Sequence, residues 1–158
     1  MSLRFAGYAA LFGTRDAARD AIRPGAFART LAGRSERLPL YWQHRPAQRI
    51  GWIEAAREDA RGLRVIATLD QDDGVAARAL KRGTVTGLSF GYRAREAART
   101  AQGRDLIAID LFEVSLVTHP LQHGARVHRI GWGGGRGSTP ARRPRPLRTD
   151  SPHPHLLP

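Results

Sequence analysis

Leu106-Ile107-Ala108-Ile109-Asp110-Leu111-Phe112-Glu113-Val114-Ser115-Leu116-Val117-Thr118 reads as one long β-strand, stopped by Pro120. A period of two puts Ile107, Ile109, Leu111, Glu113, Ser115 and Val117 on one face. Leu106, Ala108, Asp110, Phe112, Val114 and Leu116 take the other. Each face thus carries one carboxylate among apolar side chains, and a buried charge must find a partner or reach solvent. Because the two acids differ in parity, at most one of them can point at a given functional group elsewhere. Glu113 has Ser115 beside it and the longer reach, whereas Asp110 also suits a sheet edge. The pattern leaves the choice between them open.

Similar strand patterns precede this run. Leu3 to Phe12 reads as a strand closed by Gly13, and Leu38 to Gln43 as a short apolar strand that ends at His44. Ile50 to Glu58 and Leu63 to Leu69 form two more, joined by the polar turn Asp59-Ala60-Arg61-Gly62, and Leu88 to Arg95 forms another. Pro24 is placed to open a helix carrying Phe27, Ala28 and Leu31, with Gly33 to close it. Asp72 or Asp73 can cap a second helix that runs through Leu80 and ends at Gly83. The expectation is an α+β, β-dominated domain: a curled sheet or barrel of about six or seven strands with two short flanking helices.

The chain has 158 residues and a formal charge of +12, and Lys81 is its only lysine. That length suits one compact domain with a real core. There is no cysteine, which excludes disulfides, thiol nucleophiles and thiolate zinc sites. No apolar run approaches the roughly 20 residues that span a bilayer. Phe5 to Gly13 is too quickly followed by charges, and too short of a cleavage site, to read as a signal peptide. A soluble cytoplasmic chain is expected. From Gly131 onward, six of the ten prolines and the run Arg142-Arg143-Pro144-Arg145 argue for a break, giving a domain over residues 1–130 and a disordered tail over 131–158. That tail reads as a solvated linker or, functionally, as a nonspecific arm for nucleic acid.

Two features suggest chemistry. Gly87-Leu88-Ser89-Phe90-Gly91 fits G-x-S-x-G, the pattern of a nucleophile elbow, but here a helix precedes the serine and a strand follows it, the reverse of that context. A serine nucleophile needs a base and a group to orient the base. His44, in Leu40-Tyr41-Trp42-Gln43-His44, is the candidate base; the plainer reading is a strand-end histidine bonded to backbone. Trp42, Trp52, Tyr41 and Phe112 read as core. His119 and His123 are four apart but separated by Pro120, so they read as loop histidines rather than metal ligands.

With these residues assembled, the chain resembles the phage prohead proteases over roughly residues 3–127. The resemblance lies in Gly7-Tyr8-Ala9 with Phe12, Ile22-Arg23-Pro24-Gly25-Ala26-Phe27, Leu40-Tyr41-Trp42-Gln43-His44, Gly87-Leu88-Ser89-Phe90-Gly91-Tyr92 and Leu111-Phe112-Glu113-Val114-Ser115-Leu116-Val117-Thr118-His119-Pro120, in that order. It implies a serine endopeptidase related to the herpesvirus assemblins, a β-barrel flanked by helices. It places the histidine on His44, the nucleophile on Ser89 and the third catalytic member on Glu113, with Asp110 and then His119 as alternatives. The oxyanion donors implied are backbone N–H groups near Gly91 or the side chain of Arg126. No cofactor or metal is implied. The substrate implied is the scaffolding segment of a major capsid protein or a scaffold protein, together with the protease itself, cut inside the assembling prohead in the host cytoplasm. A homo-oligomer, and a phage or gene transfer agent setting, come with the resemblance. Arg45 departs from the family pattern, where an acid often follows the histidine. The departure points to an altered substrate charge preference, or to an imidazole pKa lowered by like charge.

Two other classes compete. A basic nucleic-acid-binding or scaffold-like head protein accords with the net charge and the Arg/Pro tail, but the domain lacks a basic stripe interleaved with stacking aromatics. A small esterase using the elbow serine conflicts with the order histidine, serine, acid.

Overall fold

The computed structural model describes residues 1–133. In chain order these form β1 (Ser2–Leu11), β2 (Asp20–Ile22), α1 (Ala28–Ala32), β3 (Pro39–Trp42), β4 (Arg45–Glu58), β5 (Gly62–Leu69), α2 (Val75–Arg82), β6 (Gly87–Thr100), β7 (Gly103–Val117) and β8 (Val127–Gly133). The β-dominated α+β expectation holds, with eight strands among the described residues rather than six or seven. β2 has three residues, too few to show a period, and β8 is interrupted by His128, Arg129 and two glycines. β8 also carries the chain three residues past the expected boundary at 130; the rest of the proposed tail lies outside the described residues.

All eight strands belong to one curled sheet. β4, β5, β1 and β8 follow one another as antiparallel neighbours, and β3 pairs antiparallel with β4. β7 is the hub: β6 lies antiparallel along one side, while β2 and β3 lie parallel along the other. The curl comes nearest to closing where Gly87 bridges Arg126 and Leu88 N–H donates to Ala125 O at 2.9 Å. Inside it pack Leu3, Phe5, Phe27, Leu40, Leu63, Val65, Leu80, Leu88, Leu106, Leu111, Val114 and Leu116, all buried. Removing this apolar surface from water is the principal force holding the curl together.

α2 ends as expected, with Gly83 in the left-handed conformation at φ 72°. Its start differs: Gly74, not Asp72 or Asp73, is the N-cap, and no side chain bonds to the first turn. α1 begins at Ala28, because Pro24 to Phe27 form a preceding turn whose Gly25 and Phe27 N–H groups donate to Glu58.

β7 departs from a strict period of two. Gly91 faces Glu113 and Tyr92 faces Leu111, so Phe112 is an extra residue, a β-bulge. The bulge resets the alternation. Leu111 and Val114 both enter the core, whereas Phe112 is 51% exposed. Phe112 is therefore not core. Trp42 does pack on the core, but Trp52 stands outside it, flanked by Arg37 and Arg49 at 4.9 and 4.4 Å from its ring.

Candidate active site

The site is built on the β6–β7 ladder. Ser89 pairs with Ser115 and Gly91 with Glu113. Opposed residues share a face, so these four positions form one patch on the outer side of the curl. Their neighbours Leu88, Val114 and Leu116 point into the core. Ser89, Glu113 and Ser115 are themselves buried, Ser115 completely.

The glycines of G-x-S-x-G have a purpose other than an elbow, since the whole motif is extended strand. A Cβ on Gly91 would lie 2.7 Å from Glu113 Oε1 and 2.9 Å from its Cγ; one on Gly87 would lie 2.6 Å from Val117 O and 2.8 Å from Pro120 Cδ. Gly91 leaves the room that the Glu113 side chain occupies. Gly87 lets the chain after β7 pass close by.

His44 arrives from the far side of β7. β3 runs parallel to β7 with Tyr41 beside Ser115 and Trp42 beside Leu116. Trp42 then pairs with Arg45, leaving Gln43 and His44 as a two-residue hairpin loop. Both carry positive φ, 53° and 58°. Two left-handed central residues are what the right-handed twist of a tight hairpin requires, although Asn-Gly suits them better than Gln-His. His44 is thus a hairpin-tip residue, and its ring bonds to a side chain rather than to backbone.

That side chain is Glu113. His44 Nδ1–H donates to Glu113 Oε1 at 2.5 Å, and Ser115 Oγ–H donates to Glu113 Oε2 at 2.6 Å. Both carboxylate oxygens are therefore engaged. The bond to Glu113 raises the His44 pKa above its ordinary value, and the carboxylate's charge adds to this, while partial burial of the ring opposes it. The imidazole therefore does not shift downward as the Arg45 neighbour suggested; a direct hydrogen-bonded carboxylate outweighs an exposed adjacent cation. With Nδ1 protonated, the neutral ring presents Nε2 as an acceptor. The Ser89 hydroxyl makes no side-chain hydrogen bond among the described residues.

The two alternative third members fall elsewhere. Asp110 lies before the bulge, where Arg93 reaches it at 3.0 Å and Arg95 at 3.2 Å. Desolvation pushes its pKa up, but the hydrogen bonds from these two arginines prevail and hold it below the ordinary value. His119 is exposed in the connection after β7. Arg126 donates from Nε to His123 O at 2.8 Å and from Nη1 to Thr86 Oγ1 at 3.1 Å, beside Gly87 on the serine's strand. Arg45 is exposed on the rim of a cavity of about 460 Å³ lined by Trp42, Arg49, Asp70 and the first turn of α2.

One pair of residues at the site is not legible from sequence spacing. Gln43 Nε2–H donates to Thr118 Oγ1 at 2.7 Å, and Thr118 N–H donates to Gln43 Oε1 at 3.1 Å. The only hint was the position of Gln43 next to the candidate base.

Residues 1–131 match the family described as caudovirus prohead serine protease. The chain is 32% identical over 130 residues to the prohead protease of Enterobacteria phage HK97, covering 78% of this chain and 58% of that protein. It is 29% identical over 104 residues to a capsid polyprotein of Pseudomonas phage PAJU2, covering 59% of this chain and 16% of the polyprotein. The chain therefore spans less than two thirds of either curated relative. Among solved structures, KSHV protease in complex with a hexapeptide phosphonate inhibitor superposes with a TM-score of 0.61 at 16% identity, covering 84% of this chain and 66% of the other. Varicella-zoster virus protease superposes with a TM-score of 0.54 at 16% identity, covering 82% and 64%. These two establish a shared fold.

Proposed function

The chain belongs to the caudovirus prohead serine protease family, and from that premise we propose that it is a serine endopeptidase that trims capsid proteins during prohead maturation. The observation that carries the reading is the bond from His44 Nδ1 to Glu113 on the face that also holds Ser89. A carboxylate that fixes the tautomer and an imidazole with a free Nε2 are two parts of an acyl-transfer site, and Ser89 supplies the third.

In the proposed cycle, His44 Nε2 takes the Ser89 hydroxyl proton as Oγ attacks a peptide carbonyl. The tetrahedral intermediate collapses to an acyl-enzyme as the imidazolium returns the proton to the leaving amine. Water, deprotonated by the same nitrogen, then releases the acid. Glu113 stabilises the imidazolium formed in both halves, and Ser115 holds the carboxylate still. Backbone N–H groups near Gly91, or the Arg126 side chain, are the proposed oxyanion donors.

The capsid substrate is supported by the names of the relatives. We further assign the scaffolding segment of the major capsid protein and the protease chain itself as the sites of cutting, within the assembling shell in the host cytoplasm. The enzyme is taken to act there as a homo-oligomer, with nonspecific nucleic-acid contact through the basic tail. Co-expression with the neighbouring major capsid protein tests this by intact mass. Loss of an N-terminal segment with wild type but not with Ser89→Ala is the expected result. Assembled shells that remain uncut in both samples would overturn it.

A further inference from the structure

The hairpin that presents His44 adopts a backbone its residues do not favour. Gln43 and His44 both sit at positive φ, where side chains other than glycine crowd their own carbonyl groups. A two-residue loop with this geometry is ordinarily built from Asn-Gly or Gly-Gly. Strain of this kind persists only where surrounding contacts hold it in place. Here three hydrogen bonds converge on one residue of the pair. Gln43 N–H donates to Leu116 O at 2.9 Å, its Nε2–H donates to Thr118 Oγ1 at 2.7 Å, and its Oε1 accepts from Thr118 N–H at 3.1 Å.

All three partners belong to the end of β7 and the residue after it, the same stretch that carries Glu113 and Ser115. The side chain of Gln43 therefore extends the β3–β7 pairing beyond Trp42, where the strand itself stops. It closes a ring with Thr118 that uses both ends of the amide. Asn is one methylene too short for the same span, and Glu cannot donate.

We propose that Gln43 is a positioning residue: clamped to Thr118, it holds the hairpin tip against β7 and so keeps His44 Nδ1 on Glu113. This rests on the protease reading for its catalytic consequence, though not for its structural one. Without the clamp the tip is tied to β7 only through backbone and the His44–Glu113 bond, and the imidazole loses its fixed direction. Small displacements of a general base cost rate far more than they cost stability.

Four variants test the assignment. Gln43→Gly removes both side-chain bonds while accepting positive φ without strain, so the hairpin survives. Thr118→Val removes the hydroxyl at nearly constant shape, and Thr118→Ser restores it. His44→Ala is the reference for complete loss. Two readouts are used. One is the rate at which a fluorophosphonate modifies Ser89, followed by intact mass; the other is the NMR titration of the His44 ring. Glu113 on β7 is the charged group bonded to that ring, and Arg45 is its charged neighbour in β4, so the titration reports chiefly on the Glu113 contact.

Gln43→Gly is expected to melt within a few degrees of wild type yet react about 10- to 100-fold more slowly, with the His44 titration moved down toward its ordinary position. Thr118→Val should slow about 10-fold, and Thr118→Ser should match wild type. Unchanged labelling and titration in Gln43→Gly, or equal losses in Thr118→Ser and Thr118→Val, would overturn the clamp. If wild type itself is not labelled, the protease reading fails, and the titration alone still decides whether Gln43 holds His44 to Glu113.

Discussion

Ser89 and Ser115 stand opposite one another across β6 and β7, but only one hydroxyl is engaged: Ser115 donates to Glu113 at 2.6 Å, while Ser89 bonds to no side chain among the described residues. The same side chain in mirrored positions thus meets two different surroundings, which fits the proposed roles of Ser89 as nucleophile and Ser115 as a prop for Glu113. Ser89→Ala should abolish capsid processing, whereas Ser115→Ala should leave a folded enzyme slowed by about 10-fold, since it loses one charge-assisted bond to the carboxylate. Fluorophosphonate labelling followed by intact mass separates the two. A fully active Ser89→Ala protein ends the assignment of the nucleophile.

The two acids of β7 are separable by the same approach. Glu113→Gln keeps the shape but removes the charge that stabilises the imidazolium, and it should slow acylation about 10²- to 10⁴-fold. Asp110→Asn disturbs only the contacts with Arg93 and Arg95 and should leave the rate within about twofold. Comparable losses in both variants would mean that the bulge at Phe112 does not divide their roles.

Activity and stability should respond to pH in opposite directions around His44. Its pKa lies above the ordinary value of 6.5 because Glu113 bonds to it. As the proposed base, His44 is competent only when neutral, so the rate should climb as pH rises through this raised value. The folded state prefers the protonated ring, so the pair's stabilising contribution is complete below the unfolded pKa and fades as pH rises through the folded one. In Glu113→Gln the acidic limb of the rate profile should move to lower pH. A limb that stays in place would detach His44 from Glu113.

Gly91→Ala probes the space around the carboxylate. The added methyl would meet Glu113 Oε1 at 2.7 Å, so either the side chain or the ladder must shift. We expect destabilisation of about 1–3 kcal/mol and a rate loss of at least about 10-fold. Thermal melting beside labelling kinetics checks both; a stable, fully active Gly91→Ala would show that Glu113 does not need its present position.

Much of this fold was legible because its elements are strongly patterned. The alternation in Leu63 to Leu69 and the apolar run through Leu116 became β5 and β7, and Gly83 closed its helix for the reason that left-handed turns select glycine. The bulge at Phe112 was not legible. A single extra residue leaves composition unchanged but exchanges the faces beyond it; Phe112 reads as core from its aromatic side chain, yet it is the residue the bulge turns outward. The candidate site residues came from resemblance and from residue type, while spacing left Glu113 and Asp110 equivalent. What distinguishes them is the residue of β6 that each faces across the bulge: Glu113 lies opposite Gly91, and Asp110 opposite Arg93. That is tertiary information. The hairpin tip was hidden likewise, because Gln-His carries none of the usual signals of a tight loop.

β7 receives β3 in parallel, and His44 meets Glu113 across 69 positions of chain. A contact so distant in sequence requires the intervening chain to be closed into a loop, at an entropic cost that grows slowly with its length. A chain whose β3 has not yet docked on β7 has no His44–Glu113 pair. On the proposed protease reading, the competence to cut would be acquired together with the native topology, because only the finished sheet brings His44 to Glu113.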